Sequence, residues 1–436
     1  MSLQFKLQPA SKISGEIRVP GDKSVSHRSI MFGSIAEGTT HVTGFLEGED
    51  SLNTLRAFQA MGVDIEGPVD GKVTIHGVGM NGLKQPSAAL DMGNSGTSMR
   101  LLSGLLSGQA FDLELVGDRS LSKRPMKRVT DPLALMGARV DTAEGGKPPL
   151  KIHGGSAMKG IHYDMPMASA QVKSCLLLAG MYAEGETSVT EPAPTRDHTE
   201  RMLTAFGYPV NTDGNTMSLQ GGGKLTACDI DVPTDISSAA FFMVMGAIAK
   251  EADILIKHVG INPTRTGVID ILKLMGANLT LENKQEVGGE PVADVRVKSS
   301  QLKGIHVPEE LVPLAIDEFP VLFVAAACAE GQTVVTGAEE LRVKESDRIQ
   351  VMADGLVTLG VDATATEDGM IINGGPIKSG TVNSHDDHRI AMAFSVASLG
   401  AEGEIIIEES DNVNTSFPTF VELANQVGLN LTTNNS

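Results

Sequence analysis

The chain has 436 residues, of which 41% are hydrophobic and 20% charged, and its formal net charge is −19. That length exceeds what one hydrophobic core organises and suits two. The acidity argues against a polyphosphate partner such as nucleic acid, and with no Trp and 4% aromatic residues there is little on which to stack bases. Cys175, Cys228 and Cys328 form neither a CxxC pair nor a Cys/His ligand spacing, so buried thiols in a reducing compartment are expected. The N-terminus has no basic stretch leading into an apolar run, and Ala239–Ile248 is too short and mixed to span a bilayer. A cytoplasmic protein without membrane contact is expected.

In chain order, the first predicted element is a strand over Gln4–Ile13. Six repeats follow. Helix-like stretches close on an apolar-apolar-Gly phrase at Gly62, Gly137, Gly207, Gly276, Gly360 and Gly428, at intervals of 75, 70, 69, 84 and 68 residues. Each Gly is expected at a left-handed helix C-terminus, with VDIE, ARVD, ANLT and VDAT beginning the next strands. A second phrase, a small-residue helix ending in AEG before a β-branched strand, starts at Ile35, Tyr182, Cys328 and Gly400. Six units of about 70 residues group most simply as three plus three. The loose Gly221–Lys224 segment precedes a crossover near residues 230–235. The expected lobes are residues 14–233, and 1–13 with 234–436.

Polar residues crowd the start of the first helix in most units. They are Gly21-Asp22-Lys23-Ser24-Val25-Ser26-His27-Arg28, Gly93-Asn94-Ser95-Gly96-Thr97-Ser98-Met99-Arg100, Ser169-Ala170-Gln171-Val172-Lys173, Asp317-Glu318-Phe319-Pro320 and His385-Asp386-Asp387-His388-Arg389. Helix N-termini offer N–H groups and a positive dipole end, so several of them facing one way make an anion site even in an acidic protein. The spacing matches neither a Walker loop nor GxGxxG. The densest basic stretch, Arg119–Met126, is expected as a loop before a helix over 126–136. Lys344 and Arg348, four residues apart, are expected on one helix face with Glu345 at the helix start.

The stretches VPGDKSVSHR, GNSGTSMR, SKRPM, SAQVKS, RDHTERM, RVKESDR, DDHR and TSFP, in this order, resemble the 5-enolpyruvylshikimate-3-phosphate synthase (3-phosphoshikimate 1-carboxyvinyltransferase) family over nearly the whole chain. The resemblance implies a two-lobed inside-out α/β barrel, with three βαβαββ repeats in each lobe. It implies transfer of the enolpyruvyl group of phosphoenolpyruvate to shikimate 3-phosphate, by a monomer that uses no metal and no cofactor. By position, Lys23, Ser24, Arg28, Ser169, Ala170, Gln171 and Arg196 correspond to the shikimate 3-phosphate site. Asn94, Gly96, Arg124, Arg348 and Arg389 correspond to the phosphoenolpyruvate site, which in the family also takes glyphosate. Asp317, Lys344 and Glu345, with Lys23, correspond to the proton-transfer group.

The chain departs from the family pattern at two places. Ala170 stands where some members have a second Ser, and Asn414-Thr415-Ser416 lacks a Lys that some members carry before the Phe-Pro pair. Two alternatives are a related transferase acting on UDP-N-acetylglucosamine and a non-catalytic anion-binding scaffold. The first is disfavoured by GDKS and by a basic loop without Cys, the second by the intact Asp317, Lys344, Glu345 and Arg124.

Overall fold

The computed structural model describes residues 3–435. The chain forms two compact units. The first runs from Gly21 to Val232 and includes Val287–Glu290; the second comprises the residues through Pro20, Pro233–Glu286 and Pro291 onward. The boundary expected after residue 13 therefore moves to Pro20, and the turn at 287–290 changes sides. The reason is local pairing. The N-terminal segment is two strands, Leu3–Gln8 and Lys12–Ile17, not one, and the second pairs in parallel with Glu251–Gly260.

The first unit carries α1 (Lys23–Ile35), α2 (Glu49–Ala60), α3 (Gly96–Ser107), α4 (Lys127–Leu135), α5 (Ala170–Gly180) and α6 (His198–Ala205). The second carries α7 (Ile236–Ile248), α8 (Gly267–Leu274), α9 (Phe319–Ala327), α10 (Arg348–Thr358), α11 (His388–Ala397), the single turn α12 (Val413–Ser416) and α13 (Phe420–Val427). All six repeat glycines have φ between 79° and 113°, the left-handed conformation that lets a helix turn into the next strand. Among the described residues no helix is long and apolar enough to cross a membrane.

Each repeat builds its own small sheet. In the second repeat, Leu90–Asp91 runs parallel to Leu113–Val116, which pairs antiparallel with Lys147–His153, and that strand with Arg139–Ala143. The first repeat obtains its parallel edge from the end of the third, as Leu225–Thr226 and Ile230–Asp231 align on Ala36–Thr43. The second unit is closed by the N-terminus. Lys12–Ile17 completes the sheet of the fourth repeat, and Leu3–Gln8 lies between Ile405–Glu408 and Asn430–Asn435 in the sixth. The 84-residue interval accommodates the 3₁₀ turns Glu309–Leu311 and Pro313–Glu318 ahead of α9.

Each unit has its own hydrophobic core. Strands bury alternate residues, whereas α3, α5, α7 and α9 are buried almost all round. A helix apolar on every face belongs at the centre, with sheets outside it. Small residues allow this packing: a Cβ at Gly104 of α3 would lie 2.0 Å from the carbonyl oxygen of Cys175 in α5. Because the central helices are set by packing, their N-terminal turns are fixed in place. Asp22, Ser95, Ser169, Asp235 and Asp387 cap α1, α3, α5, α7 and α11, each side chain accepting a backbone N–H.

Candidate active site

In the first unit most candidate site residues sit on or just before the opening turns of α1, α3 and α5, with Arg124 in the loop before α4 and Arg196 just before α6. Arg28 is buried one turn into α1. Its Nε donates to Thr199 Oγ1 at 2.7 Å, Nη1 to the Ser24 carbonyl at 3.0 Å and Nη2 to Ser174 Oγ at 3.0 Å. All three acceptors are neutral, and burial pulls the guanidinium down to about 10. Lys23 Nζ lies 3.3 Å from Asp50 Oδ2. Asn94 and Arg124 are brought together, with Arg124 Nη2 donating to Asn94 Oδ1 at 3.0 Å.

Gly96 opens α3, and a Cβ there would meet Arg100 Nη1 at 3.0 Å and Arg124 Nη1 at 3.5 Å. Gln171 is held from both ends. Its Oε1 accepts from Arg100 Nη1 at 2.6 Å, and its Nε2 donates to Thr97 Oγ1 at 3.0 Å. Burial, reinforced by Arg128 and Arg124, lowers Arg100 to about 10, and Arg100 Nε is buried without a hydrogen-bond partner among the described residues. Ser169 caps α5 by accepting from Val172 N at 3.3 Å, and Ala170 is the first residue of that helix. Arg196 is half-buried just before α6 and close enough to Arg28 to lower it.

The second unit gathers the acid–base candidates around one carboxylate. Lys344 Nζ and Arg348 Nη1 lie 3.4 and 3.6 Å from Asp317 Oδ1. Arg348 is fully buried. Its Nη2 also donates to Glu345 Oε2 at 2.6 Å and its Nε to Asp387 Oδ2 at 2.9 Å. Burial opposes this guanidinium's charge, but Glu345 and Asp387 outweigh it and raise its pKa. Lys344 behaves likewise: burial disfavours the ammonium, yet Asp317 and Glu340 hold it above the usual lysine value. Arg389 is the second residue of α11; its Nη1 is buried and has no hydrogen-bond partner among the described residues.

Two local expectations are corrected. Lys344 and Arg348 do not share a helix face. Lys344 is in extended conformation after the 3₁₀ turn Glu339–Val343, and Arg348 is the first residue of α10, so their meeting point is Asp317. The helix start belongs to Asp347, which accepts from Gln350 N at 3.0 Å; the exposed Glu345 precedes it. The basic loop is also not plain coil, since Leu121–Lys123 forms one 3₁₀ turn and α4 begins at Lys127.

Sequence reasoning missed Thr97, Arg100, Asp50 and Asp387 as site-shaping groups. Arg100 was detectable, because a residue four past Gly96 lies on the same helix face and its side chain leans back toward the N-terminus. Asp387 carried the signal of a helix cap. Asp50 and the buried partners of Arg28 carried none.

Two units of three βαβαββ repeats, each presenting cations and carboxylates at the N-terminal turns of central helices, define an α/β protein class built to handle small anions. The model of the family described as EPSP synthase (3-phosphoshikimate 1-carboxyvinyltransferase) matches residues 7–423. The chain is 72% identical over 438 aligned positions to the 3-phosphoshikimate 1-carboxyvinyltransferase of Hydrogenovibrio crunogenus, covering 99% of this chain and 98% of that one. A solved EPSP synthase from Acinetobacter baumannii matches with TM-score 0.93 and 66% identity over 99% of this chain and all of that one. The enolpyruvyl transferase NikO from Streptomyces tendae, 17% identical with TM-score 0.81 over 100% of this chain and 99% of that one, shares the fold. The chain belongs to the EPSP synthase family, and its architecture is the two-domain inside-out α/β barrel of that family.

Proposed function

We propose that the protein transfers the enolpyruvyl group of phosphoenolpyruvate to the 5-hydroxyl of shikimate 3-phosphate, releasing phosphate, in the cytoplasm and as a monomer. Beyond family membership, one observation carries this reading. In a chain of net charge −19, Arg28 on α1, Arg100 on α3 and Arg124 in the loop before α4 make hydrogen bonds, among the described residues, to neutral oxygens alone. Guanidiniums held by neutral oxygens, with Arg28 and Arg100 desolvated by burial, favour an incoming carboxylate or phosphate.

Arg28, Arg196, Ser24, Ser169, Gln171 and the Ala170 backbone hold the phosphorylated acceptor. Asn94, Gly96, Arg124, Arg348 and Arg389 hold the donor, with Lys23 facing both. Asp317, oriented by Lys344 and Arg348, takes the hydroxyl proton as the acceptor oxygen bonds to C2 of the donor. Glu345, with Lys23, serves proton delivery to C3. The resulting tetrahedral intermediate loses phosphate with the C2–O electron pair, and a proton leaves the methyl group to restore the double bond. Positioning and charge carry the catalysis, and no covalent enzyme intermediate is needed.

The test is a phosphate-release assay with each substrate omitted in turn. Release that requires both substrates supports the reading. Release with UDP-N-acetylglucosamine as acceptor, or none with shikimate 3-phosphate, overturns it.

A further inference from the structure

Behind the first unit's cations lies a charged cluster with no place in the chemistry above. Lys173 of α5 is fully buried. Its Nζ lies 2.7 Å from Glu200 Oε1 and 3.2 Å from Glu191 Oε2, and both glutamates are themselves buried. Burying three charges costs several kcal/mol per ion, and well-packed apolar residues generally stabilise a core as well. A stability role alone therefore accounts poorly for the triad.

Its reach suggests another role. Glu191 opens the turn Glu191-Pro192-Ala193-Pro194-Thr195, in which two prolines remove two backbone donors. Such a turn cannot be secured by a main-chain ladder, and the Glu191 side chain supplies the closure. Oε1 accepts from Thr195 N at 3.1 Å and Oε2 from Thr195 Oγ1 at 2.6 Å. The next residue is Arg196. One position along α5, Ser174 Oγ accepts from Thr199 Oγ1 at 2.7 Å and from Arg28 at 3.0 Å. Adjacent buried residues of α5 thus reach Arg28 directly, through Ser174, and the turn that leads into Arg196, through Lys173 and Glu191.

We infer that Glu191, clamped by Lys173, is a positioning residue for the acceptor-phosphate site, acting through Thr195 to set Arg196. The inference rests on the proposed function. Lys173→Met leaves two buried glutamates unpaired and is expected to unfold, so the informative variant is Thr195→Val, which keeps shape and removes the hydroxyl donor.

Its KM for shikimate 3-phosphate is expected to rise about tenfold, with kcat and the phosphoenolpyruvate KM within about twofold of the natural protein. Calorimetric binding of shikimate 3-phosphate should weaken by the same factor while unphosphorylated shikimate is unaffected, and Thr195→Ser should restore both. An unchanged acceptor KM overturns the inference, as does a lowered Tm without any change in KM, which marks a merely structural contact. If the natural protein releases no phosphate with the two substrates, the proposed function itself fails, and the positioning role with it.

Discussion

The two units hold their arginines in different ways, although Lys23 of the first unit, 3.3 Å from Asp50, is paired with a carboxylate as the second unit's cations are. In the first, Arg28, Arg100 and Arg124 rest on hydroxyl, amide and carbonyl oxygens, and burial depresses Arg28 and Arg100 to about 10. In the second, Arg348 and Lys344 are packed among Asp317, Glu345, Asp387 and Glu340, and both stand above their ordinary values. Glu200, Asp22 and Glu290 act on Arg28 from a distance, and guanidiniums with no carboxylate in hydrogen-bond contact are suited to gripping a dianion that arrives and leaves. Cations already paired with carboxylates instead orient those carboxylates for proton transfer. Arg389, with its buried and unpartnered Nη1, is the second unit's exception and marks where that unit would meet an anion.

The comparison breaks most sharply at Asp317. Asp317→Asn should lower kcat by roughly 10²–10⁴-fold, the usual contribution of a positioned acid or base, with little change in acceptor affinity. Arg28→Met should chiefly raise the acceptor KM. Steady-state kinetics on both variants separates the assignments, and a KM effect alone in Asp317→Asn would contradict the division of labour.

Stability should divide the units next. Arg348→Met leaves Asp387 buried without its guanidinium partner and is expected to cost about 3–5 kcal/mol. Arg28→Met orphans only hydroxyls and a carbonyl, for roughly 1–3 kcal/mol. Urea unfolding of both variants checks the ordering, and equal losses would show that the counter-charges do not differ in effect.

A feature the units share is a neutral histidine next to the site, His27 fully buried and His388 half-buried. Burial depresses His27 from 6.5 to about 3 and His388 from 6.5 to about 4. Above pH 6.5 both are neutral folded and unfolded, so neither affects stability. As pH falls below that value the unfolded chain takes up protons that the folded chain refuses. Stability should then drop by roughly 1.4 kcal/mol per pH unit for each histidine, flattening near pH 4 for His388 and near pH 3 for His27. Unfolding measured across this window should show the slope lessened by one proton in His27→Gln and in His388→Gln.

The smallest expected effect concerns the donor side. The Cβ of Gly96→Ala would stand 3.0 Å from Arg100 Nη1 and 3.5 Å from Arg124 Nη1, both ends of flexible side chains. The fold should tolerate it, while displacement of these groups costs about 1–3 kcal/mol in a tight site, or roughly 5- to 150-fold in affinity. Inhibition by glyphosate with phosphoenolpyruvate varied, at saturating shikimate 3-phosphate, should be competitive and weaker in Gly96→Ala. Equal inhibition constants would place position 96 away from the donor.

What the sequence alone determined is the part governed by local rules. The repeat count, the six left-handed glycines and the polar helix starts follow from backbone conformation and hydrogen bonding within a few residues. The motif order carried the family. What only the tertiary structure decided are relations between distant segments. Leu3–Gln8 and Lys12–Ile17 stitch two different repeats of the second unit, which periodicity leaves open because a strand edge does not name its partner. Lys344 meets Arg348 on Asp317 and not along a helix, because a 3₁₀ turn intervenes. Lys173 stands in sequence among the polar residues of a helix start, and Glu191 and Glu200 carry no signal of burial; the completed fold buries all three, because burial is set by neighbours that only tertiary packing supplies.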